Sequence, residues 1–166
     1  MTMKTRSFLS FCAALVLAGC SATGPRFTPT DAPKGSALLY VYRPDSLTLG
    51  ARTAAIEVNG RRAVGLKNNG YALIKLTPGK YEITQSWDSW LGDNTKLQQP
   101  ISVSLAIGAD SVTYLRLGTA SSTSPGSNAS GFSMTINWEL RQMAVKQAVA
   151  ELSSTNRVEL DAKFAL

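Results

Sequence analysis

Short segments in which apolar residues occupy every second position fill most of the chain beyond residue 36. The alternation is unbroken in Ile101–Ile107 and again in Phe132–Trp138. A period of two places the apolar side chains on one face of a β-strand, whereas a helix would need a period near 3.6. Turn residues such as Asn59-Gly60 and Pro78-Gly79 separate neighbouring segments. The pattern predicts about eight short strands and a mainly β fold, either an antiparallel sandwich or a barrel.

Three stretches depart from this alternation. Ser36–Arg43 is an almost continuous apolar run that ends at Pro44, which is typical of a buried strand. Gly118–Gly131 is rich in glycine, serine and threonine, and it is predicted to be a loop. From residue 140 the apolar residues recur every four positions, which predicts one amphipathic helix over residues 140–152. The apolar stripe of this helix is expected to pack on the β domain.

The first twenty residues have the layout of a secretory signal peptide, with two positive charges, an apolar run and small residues before a cysteine. The run is shorter than the roughly 20 residues that cross a bilayer, so no persisting membrane span is predicted. The closing Leu17-Ala18-Gly19-Cys20 resembles the lipobox of bacterial lipoproteins, in which the cysteine is acylated and the chain is cut just before it. Residues 1–19 are therefore the predicted signal peptide and Cys20 the predicted lipidation site. The alternative is an ordinary secretory signal that contains a cysteine.

Residues 20–35 are predicted to be the lipidated cysteine and a flexible tether, and residues 36–166 a single domain. The tether has three prolines, two glycines and one bulky apolar residue, Phe27, which is too little apolar surface to fold alone. A flexible segment of this length spans roughly 20 Å on average and about 50 Å when stretched. Ser21 stands where an aspartate would typically signal retention in the inner membrane. The expected location is therefore the bacterial envelope, on the periplasmic face of the outer membrane, with the lipid on Cys20 joining the protein to the membrane.

Composition excludes several kinds of chemistry. The chain contains no histidine, which removes Ser-His-Asp and Cys-His catalysis and histidine-ligated zinc. Cys12 leaves with the signal peptide and lipidation consumes the thiol of Cys20, so the mature domain has no thiol for a metal site or a disulfide. Removing 19 of the 166 residues leaves 147, with 15 basic and 11 acidic side chains. The basic residues are scattered rather than gathered in the stripe typical of a nucleic-acid binder. No cofactor, metal or nucleic acid is expected.

Several motifs in the first half of the domain are shared with a known family. They are the apolar strand ending in Tyr42-Arg43-Pro44, the turn Val58-Asn59-Gly60, the segment Gly65…Asn69-Gly70-Tyr71 and the turn Pro78-Gly79-Lys80. Over about residues 36–118 the chain resembles the bacterial lipoproteins grouped as domain of unknown function 2846. The resemblance implies a small transthyretin-like β-sandwich on a lipid tether. Because the activity of that family is not established, the resemblance implies no catalytic residues.

The sequence Trp87-Asp88-Ser89-Trp90 is the strongest candidate for a contact surface. Two indoles three residues apart, at a strand end and in the following loop, suit a sugar ring or an apolar group of a partner. The alternative is that Trp87 continues the buried face of its strand, since aromatic residues usually fill such cores. Arg43, at the end of the first strand, is a candidate for binding an anionic group. Its alternative role is pairing with a nearby carboxylate at the rim of the sheet.

Asp88 and Asp93 flank the tryptophan loop and are candidates for an acid–base pair like that of glycosidases. Loop aspartates beside glycine and asparagine are, however, usually turn formers. Calcium binding by these residues and Asn94 does not match the spacing of a known calcium loop. The sequence favours a non-enzymatic binding or structural module that contacts an envelope protein or cell-wall glycan through sheet edges and loops. The alternative is a glycan-directed hydrolase or carbohydrate-binding module that uses the tryptophan loop.

Overall fold

The computed structural model describes residues 21–88, 99–125 and 132–164. These residues form two packed sheets and one helix, which confirms the predicted mainly β sandwich with a C-terminal helix. The strands are β1 (Ala37–Arg43), β2 (Ala54–Val58), β3 (Arg61–Leu66), β4 (Gly70–Leu76), β5 (Gly79–Trp87), β6 (Ile101–Ile107), β7 (Ser111–Pro125), β8 (Phe132–Gln142) and β9 (Asn156–Arg157), and the helix is α1 (Val145–Leu152). Within the described residues, helical structure is nowhere both long and apolar enough to span a membrane.

The two sheets are connected by repeated crossings of the chain. One sheet has the strand order β8-β7-β1-β4-β9, and the other has the order β3-β2-β5-β6. The chain passes from one sheet to the other after β1, β3, β4 and β6. Five of the strand pairings among the described residues are antiparallel, as predicted, whereas β1–β7 and β4–β9 are parallel. Neither parallel pair is formed by strands that follow each other in the chain.

The main core lies between the two sheets and follows the alternation of the sequence. Ile56, Ile74 and Ile83 are each completely buried, and every one of them occupies an inward position of its strand. Burial of such a side chain stabilises the fold by about 1.5–3 kcal/mol relative to exposure. The period of two therefore predicted this layer correctly.

A second apolar layer covers the outer face of the five-stranded sheet. Its centre is a group of tyrosines, in which the rings of Tyr40 and Tyr114 stack with centroids 5.3 Å apart. The N-terminal segment, residues 21–35, covers this group on one side through Phe27. Helix α1 covers it on the other side through Ala148 and Leu152. Because both of its faces are covered, β1 is buried along its whole length, as its apolar sequence predicted.

The N-terminal segment lies against the sandwich instead of extending away from it. Ala22 is buried, and its N–H donates to the carbonyl oxygen of Asn68 at 3.0 Å. Phe27 packs edge-to-face on Tyr40 and on Tyr71, with ring centroids 5.4 and 5.6 Å apart. Within the predicted tether of residues 20–35, Ala22 and Phe27 therefore contact the sandwich; the domain boundaries themselves stay a prediction. One aromatic residue suffices for docking because the outer face of the sheet already offers aromatic surface.

The helix is shorter than the sequence predicted. Leu140 belongs to β8, where it lies opposite Leu117, and α1 begins only at Val145. The alternation of β8 continues through Leu140, so this residue satisfies the period of two and the period of four at once. The N–H of Met143 donates to the carbonyl oxygen of Tyr114 at 2.9 Å, which ties the connection between β8 and α1 to the sheet.

Strands β7 and β8 continue well beyond the rest of their sheet. The pairing of β1 with β7 ends at Tyr42 opposite Arg116, whereas β7 and β8 remain paired out to Pro125 opposite Phe132. Residues 118–125, predicted to begin a loop, are therefore strand. Threonine and serine tolerate the extended backbone, and the partner strand β8 supplies the hydrogen bonds that a loop would lack. Residues 126–131 lie outside the described residues.

Candidate functional site

Arg43 lies on the inner face of β1, and its side chain is completely buried. Its guanidinium carbon lies 5.0 Å from the ring centroid of Trp87 and 5.2 Å from that of Trp138. The two indoles meet edge-to-face, with centroids 4.8 Å apart. Arginine over an indole face is a favourable cation–π geometry, and its strength grows when water is excluded.

The guanidinium of Arg43 also fixes the loop of residues 44–53 that follows β1. Its Nη1 donates to the carbonyl oxygen of Arg52 at 2.7 Å, and its Nη2 donates to that of Leu49 at 2.7 Å. A planar fork of donors can hold two carbonyl groups at once, which a single ammonium cannot do with the same geometry. Burial lowers the pKa of Arg43 to about 10, so the side chain still carries its positive charge at neutral pH.

Arg43 and Trp87, both predicted as possible contacts for a partner or a glycan, are buried in the structure. Trp87 is only 8% exposed, so it continues the buried face of β5, which was its alternative role. Arg43 donates its hydrogen bonds to backbone carbonyls of the following loop, and Asp45 is the carboxylate whose charge acts on it. Sequence alone did not reveal this, because the acceptors are backbone atoms. Trp90, the other predicted contact residue, lies outside the described residues, as does Cys20.

Asp88 is held in an ion pair with Arg62. The two guanidinium nitrogens Nη1 and Nη2 of Arg62 donate to the two carboxylate oxygens of Asp88, each at 2.8 Å. Arg62 Nε also donates to Asp161 at 3.1 Å, and these carboxylates raise the pKa of Arg62 further above its usual value. A carboxylate bound in this bidentate way is a structural partner rather than a free acid or base. Asp93 and Asn94 lie outside the described residues.

Arg61, Arg62 and Lys163 line an open groove on this side of the molecule, with a volume of about 460 Å³. Arg61 Nη2 donates to the carbonyl oxygen of Lys163 at 2.8 Å, and its guanidinium lies 5.6 Å from the ring centroid of Phe164. Both arginines of the groove are therefore engaged by the protein itself. Among the described residues, no group of three or more acidic or thiol side chains is placed to hold a metal ion.

Asn68 joins the start of the described chain to the loop of residues 44–53. Its backbone carbonyl accepts the N–H of Ala22, and its side-chain Oδ1 accepts the N–H of Ser46 at 3.1 Å. Its Nδ2 donates to Asp45 Oδ1 at 2.6 Å. The side chain of Asn68 is buried at this junction. The sequence holds no signal for these long-range bonds.

Glu151 connects α1 to the outer face of the sheet. One of its carboxylate oxygens accepts from the hydroxyl of Tyr42 at 2.9 Å and from Arg116 Nε at 2.9 Å. Burial, followed by the hydrogen bond to this carboxylate, raises the pKa of Tyr42 above its ordinary value. The cluster fixes the helix over the tyrosines and thereby completes the second apolar layer.

Comparison with known proteins gives one family and no individual relative. The model of the family described as "Protein of unknown function (DUF2846)" matches residues 33–132, which is more than half of the chain. Searches among curated proteins and among solved structures found no match. The matched range runs from the end of the N-terminal segment to the start of β8 and includes Arg43, Asn68 and Trp87. The chain therefore belongs to the DUF2846 family.

Proposed function

We propose that this protein is a lipid-anchored lipoprotein of the bacterial envelope that binds a partner protein in the periplasm and is not an enzyme. The signal-peptide layout of the first twenty residues and the lipobox-like Leu17-Ala18-Gly19-Cys20 support the anchoring. Family membership is compatible with this role but names no activity. The observation that carries the binding role is the extension of β7 and β8 beyond their sheet.

This extension is a ribbon of eight residue pairs, from Gly118 opposite Glu139 to Pro125 opposite Phe132. At the usual rise per residue it is about 26 Å long. Beyond Arg116, the described residues supply no strand that pairs with the other edge of β7. Isolated two-stranded ribbons are marginally stable in water, and an open edge is a ready template for a further strand. The ribbon is therefore suited to receiving an extended segment of another protein.

The sequence of the ribbon fits recognition through the backbone. Thr119–Ser124 consists of small residues, five of which carry a hydroxyl group. When a strand is added to a sheet edge, main-chain hydrogen bonds provide the affinity, and small side chains allow close approach of the added strand. A partner strand placed here would continue the line of β1 beside β7.

The glycan-directed alternative lacks comparable support. Trp87 is buried, and both carboxylate oxygens of Asp88 are bound to Arg62. A sugar platform needs an exposed ring, and a glycosidase needs a carboxyl group that is free to exchange a proton. What remains of that alternative depends on Trp90 and Asp93, which lie outside the described residues.

Site-specific photo-crosslinking in intact cells tests the proposed binding role. A photoreactive amino acid is placed at Thr119, which is exposed near the base of the ribbon, and in a separate strain at Ser104, which is exposed on β6. We expect a discrete protein adduct from position 119 and none of the same mass from position 104. Identical adducts from both positions, or none from position 119, would contradict binding through the ribbon. Release of a sugar product by the purified protein would contradict the non-enzymatic role.

A further inference from the structure

The anchored end of the chain and an exposed leucine lie at the same end of the sandwich. Ser21, the residue directly after the proposed lipidation site, forms a parallel bridge with Asn68. Through its side chain Asn68 also binds Asp45 and the N–H of Ser46. Leu47 is the next residue, and its side chain is fully exposed to solvent.

The loop that carries Leu47 is held firmly in place. The buried guanidinium of Arg43 donates to the carbonyl oxygens of Leu49 and Arg52. At the start of the loop, the N–H of Ser46 donates to Asn68 Oδ1. Leu49 has a φ of 55°, a left-handed conformation that is unusual for a leucine and costs energy. Leu49 packs against the core, whereas Leu47 points away from it. A buried arginine and a residue with a left-handed backbone therefore fix the shape of a loop whose Leu47 side chain is fully exposed.

The docking of Ser21 limits how far the sandwich can stand from a membrane. Cys20 is directly followed by Ser21, which is already paired with the domain, and consecutive Cα atoms are 3.8 Å apart. A free tether of residues 20–35 would instead allow a separation of roughly 20 Å. With the lipid in the bilayer, the end of the sandwich that carries Asn68 must therefore lie at the membrane surface.

We propose that Leu47 inserts into the surface of the lipid bilayer beside the acyl anchor and fixes the orientation of the sandwich on the membrane. This inference rests on the proposed acylation of Cys20. The occupant is a lipid surface because Ser21, the residue next to the proposed acyl anchor, lies at this end of the sandwich. Asp45, two residues before Leu47, and Lys67, next to Asn68, are both exposed and of opposite sign, so the proposed contact does not depend on anionic lipid. The apolar side chain, rather than charge, supplies the interaction.

A fluorescent probe at position 47 tests this orientation. The acylated mature protein has no free thiol, so Leu47→Cys introduces a single site for an environment-sensitive dye. Ala109→Cys is the matched control, because it is exposed in the turn before β7, at the opposite end of the strands. Each labelled, acylated protein is reconstituted into vesicles of phosphatidylethanolamine and phosphatidylglycerol, with and without brominated acyl chains. We expect a blue-shifted emission and loss of intensity in brominated vesicles for position 47, and neither effect for position 109.

The outcomes separate this inference from the proposed function. Acylated protein that floats with the vesicles, but whose probe at position 47 behaves like the probe at position 109, would overturn the insertion of Leu47 and leave the anchoring intact. A protein that carries no acyl group by mass and does not float would overturn both. Equal quenching at both positions would show that the sandwich has no fixed orientation, which also overturns the inference. Repeating the measurement in vesicles of neutral phosphatidylcholine should leave the signal at position 47 unchanged.

Discussion

The two faces of β1 are buried by different means. Its inner face carries Leu39 and Val41 into an aliphatic core between the sheets, together with the buried Arg43. Its outer face carries Tyr40 and Tyr42 into an aromatic layer under the N-terminal segment and α1. The inner layer is built from strands with a clear period of two. The outer layer is built from parts that are far apart in sequence, and these parts join the proposed anchor to the domain.

This difference assigns separate roles to the two layers. The inner layer holds the sandwich together and, through Arg43, shapes the loop that exposes Leu47. The outer layer decides where the start of the chain lies, because Phe27 fixes the N-terminal segment on the sheet. Changes in the inner layer should therefore affect global stability. Changes in the outer layer should affect the attachment of the N-terminal segment and the helix.

The largest effect is expected from Arg43→Ala in the inner layer. This change leaves two part-buried carbonyl oxygens without their donor and removes the buried cation that contacts two indoles. An unpaired buried polar group costs about 1–3 kcal/mol, so the free energy of unfolding should fall by about 3–5 kcal/mol. Urea denaturation measures this free energy of unfolding. Arg141→Ala, at an exposed arginine of β8, is the control and should change stability by less than about 1 kcal/mol. Equal effects of the two substitutions would show that the buried cation is not a structural element.

Phe27→Ala tests the outer layer with the next largest effect. The ring of Phe27 is half-buried against two tyrosines, so its loss should lower the free energy of unfolding by about 2 kcal/mol. Protease sensitivity of residues 21–35 should rise at the same time. Thr28→Ala, at the exposed neighbouring residue, should leave both properties unchanged. If Phe27→Ala changed neither the free energy of unfolding nor the protease sensitivity, residues 21–35 would behave as a free tether.

Gln85→Met should increase stability. Gln85 is completely buried on the inner face of β5, and among the described residues neither polar atom of its side chain has a hydrogen-bond partner. Methionine has a similar volume and no unpaired polar atom, so the free energy of unfolding should rise by about 1–2 kcal/mol. Gln99→Met, at an exposed position before β6, is the control and should have no such effect. A loss of stability at position 85 would show that the amide is bound to a buried water.

Much of the inner layer could be predicted from sequence, because alternation determines which face a strand residue occupies. The same alternation placed Trp87 correctly in its buried alternative. The helix start was wrong because Leu140 fits two periods, and only the pairing of β8 with Leu117 decides between them. The docking of residues 21–27 was missed because one aromatic residue has no period at all. The hydrogen bonds of Arg43 to the loop of residues 44–53 were not predicted, because every residue has a backbone carbonyl and the sequence does not indicate which of them accept.

The smallest expected effect is a change in pH dependence at Tyr42 in the outer layer. Its pKa in the folded protein is raised above the ordinary value of 10.0, mainly by burial and then by the hydrogen bond to Glu151. The stability that this tyrosine contributes is therefore fully present below pH 10 and is lost as the pH rises above it. Tyr71 and Tyr114 shift in the same direction.

Tyr42→Phe should reduce the slope of stability against pH above pH 10 by up to about 1.4 kcal/mol per pH unit, the equivalent of one proton. Urea denaturation between pH 9 and pH 11 measures this slope. The slope, rather than the stability itself, is the relevant quantity, because the substitution also removes the hydrogen bond to Glu151. An unchanged slope would mean that packing in the outer layer does not oppose the deprotonation of Tyr42.

An acylated Cys20 is proposed to anchor the sandwich directly at the membrane, and the intact mass of the protein purified from cell membranes tests this. We predict a protein that begins at Cys20 and carries the added mass of acyl groups, and a Cys20→Ala variant that is absent from the membrane fraction or remains unprocessed. Several acyl chains together give stable attachment, since each buried methylene contributes about 0.8 kcal/mol. A chain that begins at another residue, or a Cys20 without added mass, would contradict the claim.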